Sequence, residues 1–401
     1  MIDTPVELLP LRLKKNEDRR LRAGHVWVFS NEVDSVATPL KSYTPGAAVV
    51  IETHNGKFIG TGYVNPNSLI CARLVSRDKQ YCLDRSLIIH RIKVALSLRT
   101  GLFKDPYYRL IYGESDSLPG LVIDRFNDVF VVQLTTAGME HMKQDILDAL
   151  EKVFRPRAVL LRNDNAIRKM EGLDSYIETL GDLPEEIELP ENDVRFRFQL
   201  QGGQKTGWFY DQRMNRTRMA AYIKGKRVLD VFSYVGAWGV QAAVKGASDV
   251  VCVDSSQTAI DAVQQNAELN HVTEKLSTLQ GDAFQTLSHL RDQGEKFDVV
   301  ILDPPAFIKR RKDMKAGEQA YHRINQLGMR LLNRDGLLIS ASCSQHLTEN
   351  QLQKTLLQDS RHLDRQLQIL ERGHQGPDHP VHPAIPETAY LKAFFCRLLP
   401  S

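Results

Sequence analysis

Two rhythms of apolar and polar positions run along this chain, and the change from one to the other marks out its parts. In the first part, short runs with a period near two dominate: 47–53 and 57–63 flank Asn55-Gly56, and 69–75 follows. Alternation on both sides of Asn-Gly predicts a β-hairpin with a type I′ turn, since both residues accept positive φ. From 83 to 99 the apolar residues (Leu87, Ile88, Val94, Ala95, Leu98) recur at helical spacing, ending near Gly101. Strands are then expected at 109–112, 121–124 and 129–134, a helix at 139–154 and another strand at 158–162.

Beyond Asn192 strands and helices alternate. A half-buried strand over 194–200 comes first, turned by Gln201-Gly-Gly203. The apolar runs 228–232, 249–254, 276–280, 297–303 and 336–342 then read as strands. Helices are expected from Val240 and at 258–270, 283–291, 317–332 and 348–357, and closing strands at 367–371 and 391–398. Such alternation predicts an α/β, doubly wound parallel sheet of Rossmann-like type, with the last pair forming an antiparallel edge. The domains expected are 1–78, a small β-rich unit; 79–190, a central α/β domain; and 191–401, the doubly wound domain.

Composition changes this picture little. The chain has 401 residues, 42% hydrophobic and 25% charged, as an ordinary soluble globular protein does. A net charge of +3 permits a nucleic-acid partner without demanding one. The five cysteines (Cys71, Cys82, Cys252, Cys343, Cys396) include no C-x-x-C pair, which argues against a disulfide framework and a structural zinc site. Neither a signal sequence nor an apolar run of membrane-spanning length is evident, so a cytoplasmic protein without a membrane partner is expected. Near the N-terminus, the basic stretch 14–22 precedes Trp27 and Phe29. This pairing could bind phosphate and stack a base, but reads first as a solvated basic helix followed by a core strand.

Candidate chemistry collects at strand ends. The strand 228–232 leads into a turn with Gly236 and Gly239, then a helix, the opening of a nucleotide-binding unit. That turn lacks the third glycine of a dinucleotide site and carries Tyr234 and Trp238, bulky for a phosphate cradle. Asp230 would repel phosphate; it suits a cationic ligand such as the amino group of S-adenosylmethionine. Asp254 ends the next strand, where a ribose diol could be gripped, and Asp282 could accept from an adenine amino group, with the Ala283 amide on a ring nitrogen. Asp303-Pro-Pro-Ala-Phe307 stiffens another strand end and holds a carboxylate beside a stacking ring, which suits an extruded base. One strand further, Cys343 sits at the rim. A thiolate there could attack C6 of a cytosine, but an unperturbed thiol (pKa about 8.5) is little ionised at pH 7. A nearby cation is needed, and Lys309, Arg310 and the histidines of loop 373–383 are the candidates. That Pro- and His-rich loop, with His374, His379 and His382, is expected to lie over the rim rather than to hold a metal.

Taken together these residues resemble the ribosomal RNA large subunit methyltransferase I family, over the whole chain. Gly24-His-Val-Trp-Val-Phe-Ser-Asn-Glu32 looks like its N-terminal PUA domain, although Val26 stands where that pattern has proline. Stretch 113–125 looks like its central domain, and 205–213, 303–307 and Ser342-Cys-Ser344 look like its methyltransferase domain. The resemblance implies S-adenosylmethionine as methyl donor and a cytosine of 23S rRNA as target, methylated at C5, with Cys343 as nucleophile and Asp303 supporting the ring. Cofactor contacts are expected from Asp230, Phe232, Ser233 and Gly236, from Asp254 and Ser255, from Asp282 and Ala283, and from Gln212 and Arg213. Substrate contacts are expected from Pro304, Pro305, Phe307 and Lys205, no metal is expected, and there is room for a homodimer. Two other readings stay open: methylation of a base nitrogen with Cys343 structural, and a non-catalytic RNA-binding protein.

Overall fold

The computed structural model describes residues 8–200 and 207–400. They form two compact units. The first takes in the chain up to Pro184 together with Gly207, Trp208 and the loop Pro377–Thr388, and the second takes in the remainder from Glu185.

The first unit contains two five-stranded sheets. In the N-terminal sheet, Ala48–Glu52 and Phe58–Val64 pair antiparallel as the alternation predicts. The turn between them differs from type I′. Gly56 is at φ +76° but Asn55 is not in the positive region, and the Gly56 amide donates to the Thr53 carbonyl at 3.0 Å. This is a type I turn followed by a left-handed glycine, and a register shift between Ile51 and Glu52 absorbs the extra residue. Leu11, Val28, Val49, Ile51 and Val64 fill the core of this sheet. The second sheet runs from Tyr107–Tyr112 through Leu121–Phe126, Val129–Leu134 and Ala158–Asn163 to Tyr176–Gly181, a strand the periodicity did not predict. Its alternating residues are mostly exposed, so no apolar period announces it.

Glu171 ties the two sheets together. Only 2% exposed, it accepts from Arg73 (3.0 Å), Asn65 (2.8 Å), Ser68 (2.9 Å) and the Ala137 amide (3.3 Å). Burial by itself would raise its carboxyl, but the Arg73 charge and these donors outweigh that and hold it below the ordinary value.

In the second unit a seven-stranded sheet comprises β1 (Arg227–Val231), β2 (Asp249–Asp254), β3 (Leu276–Gln280), β4 (Phe297–Leu302), β5 (Leu332–Ser342), β6 (Arg365–Gly373) and β7 (Lys392–Pro400). Their spatial order is β3-β2-β1-β4-β5-β7-β6. The first five are parallel and β7 runs antiparallel to both neighbours, as the expected antiparallel edge requires. Helices α1 (Gly239–Val244), α2 (Gln257–Leu269), α3 (Ala283–Asp292), α4 (Met314–Leu331) and α5 (Glu349–His362) connect the strands. Val231, Val300, Leu302, Leu338 and Phe394 are among the fully buried residues of the core, which explains the near-continuous apolar runs. A hairpin of Ile187–Glu191 and Val194–Phe198 belongs to the same unit. Its Glu191 is buried and accepts from Arg213, Arg216 and Gln241, fastening the hairpin to helix Arg213–Met219 and to α1.

Replacing Glu171 by Ala should destabilise the first unit by about 3–5 kcal/mol, because Arg73 would stay buried without its counter-charge. Chemical denaturation checks this. With the folded carboxyl depressed, the wild-type advantage should be complete above the ordinary carboxyl pKa and disappear as pH falls through the folded value.

Candidate active site

The chain runs from β1 outward through β2 to β3 and then crosses back to place β4 on the other side of β1, so a crevice opens between the carboxyl ends of β1 and β4. The rim of the sheet carries, in spatial order, Asp282, Asp254, Asp230, Asp303 and Cys343, each at or just past the end of a neighbouring strand.

Asp230, on β1, is fully buried. Its Oδ2 accepts from the Gly239 amide at 2.8 Å, while its Oδ1 and the buried Ser233 Oγ have no hydrogen-bond partner among the described residues. Burial pushes the Asp230 carboxyl up to about 7, against the pull of the Gly239 amide and with help from Asp303 and Asp254. The turn after β1 is bent sharply: Phe232 (φ +67°) and Tyr234 (φ +50°) both occupy the left-handed region, uncommon for bulky residues. Its glycines have packing reasons. A Cβ on Gly236 would come within 2.8 Å of Val240, and one on Gly239 within 2.3 Å of Cys252 Sγ.

Asp254 receives the amides of Tyr234 and Ser256, each at 3.0 Å, so it helps shape the turn and sits beside it; Ser255 is exposed next to it. Asp282 is exposed and caps α3 through the Gln285 amide at 3.1 Å, with Ala283 the first helical residue. Gln212 donates to Asp303 Oδ1 at 2.9 Å and accepts from Asn215, so its amide orients Asp303. Arg213 is paired with Glu191 and lies over the Tyr210 ring at 5.0 Å. Lys205 lies outside the described residues.

Asp303 takes a second hydrogen bond from Trp238 Nε1 at 3.0 Å. Burial raises its carboxyl above the ordinary value; Asp211 adds to this, and Trp238, Arg216 and Gln212 oppose it. Pro304 is buried and Pro305 exposed, and Phe307 packs among Phe232, Phe284 and Tyr321, with the Tyr321 ring nearest at 4.9 Å.

Cys343 is half-buried, and the residues on either side are pinned. Ser342 Oγ donates to Tyr321 Oη at 2.8 Å, Tyr321 Oη and Ser344 Oγ are 2.8 Å apart, and the Ile308 amide donates to Ser344 Oγ at 3.2 Å. These bonds join the cysteine turn to the turn after Asp303. Lys309 and Arg310 are exposed, and Arg310 pairs with Asp313. The buried cation beside Cys343 is Lys392, on β7. Its Nζ donates to the Ser344 carbonyl at 2.6 Å and the Tyr390 carbonyl at 2.7 Å. Sequence reasoning missed Lys392 and Tyr321. The one available signal for Lys392 was a single charge at the inward start of an apolar strand, recognisable only once β7 is paired with β5.

The stretch Pro377–Thr388 packs within the first unit: Arg99 donates to the Asp378 carbonyl, the Arg109 amide donates to Asp378 Oδ2, and His379 Nδ1 lies 3.0 Å from Asp378 Oδ1. His379 and Asp378 thus have structural partners there. In the same unit Trp27 donates its indole N–H to Glu114 at 2.8 Å, and Arg20 reaches Glu32 and the Trp27 carbonyl. No helix among the described residues is long and apolar enough to cross a membrane.

A model of S-adenosylmethionine-dependent methyltransferases matches residues 113–397, and a model of PUA-like domains matches residues 11–77. The sheet order, the acidic rim and these matches define a methyltransferase that uses S-adenosylmethionine. The two orphaned polar atoms at the β1 turn fit such a ligand, which carries an ammonium and hydroxyl donors. The chain is 38% identical to the ribosomal RNA large subunit methyltransferase I of Klebsiella pneumoniae (strain 342), over 97% of this chain and 98% of that protein. To the protein of the same name from Aliivibrio fischeri (strain ATCC 700601 / ES114) it is 37% identical, over 96% and 98%. It belongs to the ribosomal RNA large subunit methyltransferase I family. The fold is also that of SMU.776, assigned as a methyltransferase and complexed with SAH, with a TM-score of 0.84 at 22% identity over 97% of this chain and 100% of that one.

Because the folded pKa of Asp230 is raised, its contribution to stability is complete below the ordinary carboxyl pKa and is lost as pH rises through about 7. Asp230→Asn keeps an acceptor for Gly239 and carries no charge. In ligand-free protein the variant should melt a few degrees above wild type at pH 8 and close to it at pH 5, as thermal scans at the two pH values would report.

Proposed function

We propose that the protein transfers a methyl group from S-adenosylmethionine to C5 of a cytosine in the RNA of the large ribosomal subunit, through a covalent bond between Cys343 and C6. One observation carries this reading. Asp303 and Cys343 stand at the carboxyl ends of adjacent parallel strands, beside the crevice at β1 where the cofactor-type residues gather.

The chemistry follows from what C5 lacks. It is not nucleophilic until C6 has gained a substituent, so Cys343 adds to C6 first. Asp303, half-buried and with its carboxyl raised above the ordinary range by desolvation, is the group that gives N3 a proton, taking up the negative charge that addition sends into the ring. Trp238 and Gln212 hold that carboxyl in place. Phe307 and the two prolines shape one wall for the flipped base. S-adenosylmethionine supplies the electrophilic methyl group. After transfer, the C5 proton departs to a base, N3 returns its proton to Asp303 and the thiolate leaves C6, restoring the aromatic ring.

In this reading Asp230 and Ser233 receive the amino-acid end of the cofactor, Asp254 the ribose and Asp282 with Ala283 the adenine. Residues 1–78 grip RNA, 79–190 form a central domain, and 191–401 perform the reaction in the cytoplasm. Methylation of a base nitrogen would use the same cofactor site and leave Cys343 without a chemical task.

Incubation with labelled S-adenosylmethionine and unmodified 23S rRNA, followed by digestion to nucleosides, should put the label in 5-methylcytidine. Cys343→Ala should lower turnover on the order of 10³-fold or more while cofactor binding is retained. Label in an N-methylated base, or near-normal turnover of the variant, would remove the covalent route. Cofactor affinity should weaken as pH falls below about 7, where Asp230 takes up its proton, and calorimetry at pH 6 and pH 8 would read this out.

A further inference from the structure

Lys392 is 7% exposed, on a strand whose neighbouring side chains Ala393, Phe394 and Phe395 are fully apolar. An ammonium this far from water is expensive unless something nearby uses it. Its register partner on β5 is Ser342, one residue before Cys343, and its Nζ donates to the carbonyl of Ser344, one residue after. Lys392 therefore flanks the cysteine turn twice, by backbone register at Ser342 and by its amine at Ser344. Both bonds are to neutral carbonyls, so among these contacts no carboxylate claims the charge.

The other ionisable groups around the pair are occupied. Glu349, on α5, forms an exposed pair with Arg372 at 3.2 Å. The Tyr390 hydroxyl donates to Asp211 at 2.5 Å. Tyr321, on α4, is held neutral by burial, with its hydroxyl shared between Ser342 and Ser344.

We propose that Lys392 is the positioning residue that activates Cys343: its amine takes the thiol proton, and the ammonium so formed holds the thiolate. The S–H bond breaks, an N–H bond forms, and no other reactant is required. When sulfur bonds to C6 the proton stays on nitrogen, and when the thiolate leaves C6 at the end of the cycle the ion pair re-forms. This assignment rests on Cys343 being the nucleophile of the reaction proposed above. Desolvation pushes the lysine down to about 8, with the cysteine's charge pulling it up, which brings the amine close to the range in which a thiol titrates.

The test is the pH profile of alkylation of Cys343 in the intact, RNA-free protein, using the neutral reagent iodoacetamide and counting modification at that peptide by mass spectrometry. Wild type should show a midpoint below the ~8.5 of an unperturbed thiol. Lys392→Met and Lys392→Gln, the second keeping two N–H donors without a charge, should each raise the midpoint by about one unit, a roughly tenfold slower reaction at pH 7. Lys392→Arg, which keeps the charge, should restore most of the shift. In methylation assays the neutral variants should lose kcat with little change in KM for RNA, and should recover in part as pH rises. Folded Met and Gln variants that alkylate with the wild-type profile would overturn the proposal. An unshifted profile with 5-methylcytidine still formed would remove the ion pair and leave the reaction. A shifted profile with no 5-methylcytidine formed would remove the reaction and leave the pair.

Discussion

Five strands running the same way must all end at one edge, and the site of this protein depends on that constraint. Parallel β1 to β5 bring Asp254, Asp230, Asp303 and Cys343, which span 114 positions of sequence (230 to 343), onto four neighbouring strand ends. The reversal of connection at β1 and β4 opens the crevice between them, with Asp230 and Asp303 at the two strand ends that border it. Crowding acidic groups at a buried edge has an electrostatic consequence. Burial displaces both Asp230 and Asp303 upward, and neighbouring acids add to it, Asp303 and Asp254 at Asp230 and Asp211 at Asp303. A carboxyl raised in this way, as at Asp230, gains from a cationic neighbour.

A second layer of buried polar groups fixes the first. Gln212 and Trp238 orient Asp303, Asn215 orients Gln212, and the Tyr321–Ser342–Ser344 hydroxyls lock the cysteine turn to the turn after β4. Each of these groups is costly to bury unless satisfied, so the network keeps one arrangement rather than several. Glu191 performs a similar task at larger scale. By gathering Arg213, Arg216 and Gln241 it fastens the hairpin and the helix that carries Gln212's neighbours. The first unit is held by its own buried carboxylate, Glu171, which no apolar pattern would have singled out.

Much of the fold was written locally. The strand–helix alternation after Asn192 survives in the structure almost element for element, because each apolar run is short and bounded by turn residues. The antiparallel end of the sheet was legible for the same reason. Where local signals were weak or had two outcomes, they misled. Asn55-Gly56 promised a type I′ turn, but only Gly56 takes a positive φ, and the register shift at Ile51 accommodates the difference. Strand Tyr176–Gly181 presents mostly exposed residues and left no period to read.

By itself the sequence determined the sheet class, the strand ends that bear Asp230, Asp254, Asp303 and Cys343, and the family resemblance carried by the motifs around them. Periods of two and 3.6, glycine turns and prolines act within a few residues, and so can be read one stretch at a time. Tertiary structure alone decided which groups serve those residues. Asp282 caps a helix, Gln212 turns to Asp303, the loop around Asp378 packs on the first unit's sheet, and Lys392 stands beside Cys343. Lys392 is forty-nine positions away from the cysteine in sequence (343 to 392) and meets it through the antiparallel pairing of β5 with β7. A partner set by strand register has no local spacing to announce it.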